Sequence, residues 1–83
     1  MSNNIQFPKI NNTQVAVLFA ELNTGIILNH EFKRHIDPSE DPYFIFETIS
    51  EAETFCEQVI SDRVSIEFHI YDNKETRLKS GQK

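Results

Sequence analysis

The segment QVAVLFAEL, Gln14 to Leu22, constrains this chain more than any other. Its β-branched and aromatic residues predict a strand, and both alternating sets are apolar: Val15, Val17 and Phe19 on one side, Ala16, Leu18 and Ala20 on the other. A strand of that kind is covered on two faces. The fold must therefore place a layer on each side of it, and the rest of the sequence offers one helix.

That helix is marked by Ser50-Glu51-Ala52-Glu53. Ser50 can cap the amide of residue 53 while the Glu53 carboxylate reaches back to the amide of residue 50. From there to about Ser61, Ala52, Phe55, Cys56, Val59 and Ile60 recur at helical spacing, with Glu51, Glu53 and Glu57 off the stripe. Glu51 and Glu53 also sit favourably at the positive end of the helix dipole.

Three further strands are expected. Asn23-Thr24-Gly25 has the composition of a hairpin connection, with Gly25 able to take positive φ. It leads into Ile26 to Lys33, where Ile26, Leu28, His30 and Phe32 share one face. Asp37-Pro38 and Asp41-Pro42 make the next segment a loop, because proline keeps the residue before it out of helix. Tyr43 to Glu47 reads as a short buried strand. Val64 to Tyr71 alternates cleanly, with Val64, Ile66, Phe68 and Ile70 inward and Ser65, Glu67, His69 and Tyr71 outward. Asp72-Asn73-Lys74 is a turn, and residues 75–78 can add a short edge pairing.

The expected fold class is α+β: a small single sheet of three to four strands in the order β-β-β-α-β with one helix on one face. If the strands flanking the helix lie parallel, the crossover is right-handed. Residues 1–12 read as a flexible polar leader whose anchors are Ile5, Phe7 and Ile10, residues 13–78 as the single domain and residues 79–83 as a disordered tail. One helix covers one side only, so the other sheet face is expected to be buried in a partner interface or under the leader or, as the favoured arrangement, in a symmetric homodimer. Burying roughly 400 Å² of apolar surface favours association by about 10 kcal/mol before its costs.

Several classes are disfavoured. The only cysteine, Cys56, can form neither an intramolecular disulfide nor a cysteine-rich zinc site. The first residues lack the pattern of a secretory signal, and the longest apolar run, Val15 to Ala20, is far short of a membrane span. A cytoplasmic location is expected. Net charge is −5, and the acid is concentrated: residues 37–72 carry ten acidic side chains against Arg63 alone. Such a segment repels a phosphate backbone, which argues against nucleic acid, and suits a basic protein partner.

The patterns that resemble chemistry are weak. HEFKRH, His30 to His35, sets two histidines five apart, a spacing that aims them apart on helix or strand alike. His30 reads as a half-buried ring with a backbone partner. The column Ser65, Glu67, His69, Tyr71 lacks an orienting third group that would make Ser65 a nucleophile. Cys56, on the apolar stripe, reads as a buried and inert thiol. The acidic loop lacks the ligand spacing and glycine of a calcium loop, and with only Gly25 and Gly81 there is no glycine-rich phosphate loop.

The expectation is a non-enzymatic protein-interaction domain without catalytic residues, cofactor or metal. Its contacts are Asp37, Glu40, Asp41, Tyr43, Glu47, Glu67, His69 and Tyr71, and an inhibitory or toxin-neutralising role against a basic partner is one specific form. Two alternatives stand beside it. One is a small ligand-binding or enzymatic domain using His30, Glu67, His69 and Tyr71; the other is a structural subunit of a larger assembly.

Overall fold

A computed structural model describes residues 7–37 and 39–82. The elements follow as β1 (Val15–Glu21), β2 (Phe44–Phe46), α1 (Ile49–Asp62), β3 (Ile66–Tyr71) and β4 (Arg77–Gln82). They form an α+β fold: one four-stranded sheet in the order β2-β1-β3-β4, with every neighbouring pair antiparallel. The doubly apolar β1 therefore lies inside the sheet, between β2 and β3. Those two run parallel to each other but are separated by β1, and α1 crosses over it from one to the other.

The apolar stripe of α1 packs on β1, β2 and β3. Val15, Val17 and Phe19 of β1 meet Ile66, Phe68 and Ile70 of β3 and Ala52, Cys56 and Val59 of α1 in one core. Phenylalanines fill its β2 side: the Phe19 ring stands edge-on to Phe32, Phe44 and Phe55 at 5.2, 5.6 and 5.9 Å. Such rings are favoured in edge-to-face contact.

The helix starts two residues before the sequence pattern suggests. Thr48, extended at φ −138° and ψ 157°, is the cap, and its Oγ1 accepts from the Glu51 amide at 3.2 Å. The Glu51 carboxylate reaches back to the Glu47 amide at 3.3 Å. Thr48-x-x-Glu51 and Ser50-x-x-Glu53 are the same signal in two registers. The earlier one wins and leaves Glu53 to pair with Lys79 at 3.3 Å.

The strand expected over residues 26–33 does not form. Ile26 to Leu28 pairs with the end of β1 after the Gly25 turn, where φ is +75°. Asn29 then breaks the run, because its side-chain oxygen accepts from the amides of Glu31 and Lys33 at 2.8 and 3.1 Å. This is turn chemistry that competes with the ladder. Phe32 takes φ +62° and sends its ring back against Phe19 and Phe44, with the Arg63 guanidinium 4.6 Å above it. The element order is thus β-β-α-β-β.

The second hairpin differs from expectation at both ends. Val64 is exposed, because Ser65 at φ +68° ends the alternation and β3 starts at Ile66. The edge pairing expected over 75–78 runs further, since β4 includes residues 79–82, which the sequence pattern left as a tail. A register shift at Ile70/Tyr71 lets β4 resume, and Gly81 pairs with Phe68. The Phe68 ring lies over that glycine, so close that a Cβ there would meet two ring carbons at 2.8 Å. No helix among the described residues is long and apolar enough to cross a membrane.

Candidate functional site

The sheet face away from α1 is where the sequence-derived contact residues converge. Alternation along β3 sends Glu67, His69 and Tyr71 to that side, opposite Ala20, Leu18 and Ala16 of β1 in register. Ile45 of β2 lies opposite Ala16 from the other direction. The small side chains of β1 are buried beneath these larger neighbours, with Ala16, Leu18 and Ala20 at 0, 7 and 2% exposure. The apolar surface that argued for a second layer is thus largely covered within one chain.

Part of the cover comes from the leader. The Phe7 ring stands edge-on to Tyr43 at 5.4 Å and to Tyr71 at 6.0 Å. The chain reaches this position through a turn at Asn11, whose side-chain oxygen accepts from the amides of Thr13 and Gln14 and from the Thr13 hydroxyl at 3.0, 3.0 and 2.8 Å. Gln14 then donates to Glu47 at 2.8 Å, tying the base of the leader to the end of β2. Phe7, one of the expected anchors of the leader, thus packs on the sheet. Ile10, a second expected anchor, is half-buried, and Ile5, the third, lies outside the described residues.

His69 is held from both sides. Its Nε2 is 3.2 Å from a Glu67 carboxylate oxygen, and Arg77 of β4 brings Nη1 to 3.5 Å from its Nδ1. Among the described residues no hydrogen bond joins the ring to Ser65. The arrangement is suited to presenting a fixed polar surface. Burial pushes the Tyr43 hydroxyl above its usual range, with Tyr71, Glu75 and Asp41 adding to the shift.

The acidic loop adjoins Tyr43. Asp37 accepts from the amide and hydroxyl of Ser39, which hold its carboxyl below the usual range, and Asp41 accepts from the Tyr43 amide at 2.9 Å. Pro42 between them is buried. The loop carboxylates therefore shape the backbone as well as charging the surface. Glu40 offers its carbonyl to His35 Nε2 at 2.6 Å. His30 has the expected backbone partner, the Tyr43 carbonyl at 2.8 Å, but its ring is exposed and leans on Phe44.

Of the sequence-derived residues, Tyr43, Glu67, His69 and Tyr71 share the helix-free face; Glu47 lies at its β2 end; Asp37, Glu40 and Asp41 line the loop that enters it. Phe7, an expected anchor of the leader, joins them, and Arg77 is the residue that the sequence pattern does not indicate. The signals for Phe7 were an aromatic residue in a polar leader and the Asn11-Asn12-Thr13 turn that follows it. Arg77 had none, because its place depends on β4.

Among the described residues, no group of three or more His, Cys, Asp or Glu is placed to hold a metal ion. A cleft of about 400 Å³ opens at the far end of β1 and β3, beside Leu28, Phe32 and Ile66, but its charged groups, Glu21 and Arg34, satisfy each other at 2.8 Å. No family model, curated protein or solved structure matches the chain.

Proposed function

We propose that the chain is a non-enzymatic protein-interaction domain that binds a basic partner on its helix-free sheet face and on the acidic rim beside it. One observation carries this reading. Residues 35–62 hold eight carboxylates and no lysine or arginine, and among the described residues only Glu53 of these forms an ion pair. Carboxylates without a cation partner among the described residues favour a cationic surface from outside, chiefly through association rate and choice of partner. An inhibitory role against a basic effector is the specific form we favour, and the lone buried thiol fits a reducing compartment such as the cytoplasm. Self-association through the same face is the competing use of it.

The test is capture from the native host with the wild-type chain and with an Asp41→Asn/Glu47→Gln/Glu51→Gln variant, whose amides preserve the local turns. A basic protein is expected on the wild type, absent from the variant and released at about 0.5 M salt, where charges are screened within a few ångströms. A partner held equally by both chains, or indifferent to salt, overturns the proposal.

A further inference from the structure

The leader is seated on the proposed interaction face without being built into the sheet. Among the described residues, Phe7 to Ile10 make no hydrogen bond; the first in the leader are those of the Asn11 turn. The Phe7 ring anchors the segment against Tyr43 and Tyr71, and Pro8 and Ile10 are half-buried. Its chemistry is specific: an aromatic residue, then a proline that keeps Phe7 extended, then Lys9. The segment adjoins the acidic rim through Tyr43, whose amide donates to Asp41, while Gln14 beyond the turn donates to Glu47. We infer that Phe7 to Ile10 are a built-in competitor, holding the place that an extended segment of the partner, an aromatic residue followed by a cation, takes when it binds.

This rests on the interaction reading and adds two things to it: the kind of partner segment and its regulation. Docking of an extended segment by a side-chain anchor is a recurring mode of recognition. A tethered competitor acts at an effective concentration far above that of a free peptide, so the wild-type chain binds in trans weakly until the leader lifts. The hinge is the Asn11 turn, and Gln14 beyond it stays fixed to Glu47.

The chain reports on this site directly. It has two tyrosines and no tryptophan, and both tyrosines touch Phe7, so tyrosine emission reads the occupied slot. The probe is a synthetic peptide of residues 5–12, titrated into the full-length wild type, Phe7→Ala and Asn11→Ala, with circular dichroism to establish that each is folded. Phe7→Ala is expected to bind the peptide at least about tenfold more tightly than the wild type, with Asn11→Ala between them. The same peptide carrying alanine for phenylalanine is expected to be silent. Equal affinity for all three chains, or binding to none, overturns the inference. If the basic partner is captured equally by wild type and Phe7→Ala, the competitor is wrong and the interaction reading stands. If no basic partner depends on the rim yet the peptide still binds Phe7→Ala, the reverse holds.

Discussion

Thr48 and Ser50 offer the same cap two residues apart, and only the geometry of each distinguishes them. Thr48 is extended and bonded to the amide three residues on, whereas Ser50 lies inside the helix, where its carbonyl accepts from the Thr54 hydroxyl at 3.1 Å. Thr48→Ala is therefore expected to cost about 1 kcal/mol, and Ser50→Ala no more than a few tenths. Urea denaturation of the two variants checks this, and equal losses would restore the later cap. Asn29 makes a related point. Its side chain takes two amides that a strand would have used, so one residue decides that the run from Ile26 ends in a loop.

At the scale of elements, legibility followed burial. β1, β3 and α1 were readable because their side chains alternate or recur with the period of the element that buries them. β4 was readable only as a short edge pairing over residues 75–78, since RLKSGQ lies at an edge, is mostly exposed and gives no apolar period. What fixes it is the match between Gly81 and the Phe68 ring. Gly81→Ala is expected to destabilise by about 1–3 kcal/mol, because the buried Phe68 ring must shift to admit a methyl group. Guanidinium denaturation measures it, and an unchanged midpoint would show that β4 gives way freely. The candidate site was legible to the same extent: alternation placed Glu67, His69 and Tyr71 on one face, while Phe7 and Arg77 reach that face through contacts distant in sequence.

For the whole molecule, the shifted groups define how stability varies with pH. Glu21, held low by hydrogen bonds from Arg34 and Thr24, and Asp37, held low by Ser39, bind protons less readily when folded. Their contribution is present above the unfolded carboxylate range and is lost as pH falls through the lowered folded values. Burial does the opposite for Cys56, whose thiol is pushed up to about 12, and raises Tyr43. The unfolded thiol ionises near 8.5, so stability is expected to decline above about that pH. Cys56→Ala should remove much of the decline between pH 9 and 11, which melting temperatures across that range would show; an unaltered slope would assign it elsewhere. The position of β1 has a consequence for how the molecule is made. Both strands that flank it come from later in the chain, so its pairing waits on the closure of long loops and is slow to nucleate. In the meantime VAVLFA, uncharged and free of proline, is a template for aggregation, and the native sheet removes that hazard by enclosing it.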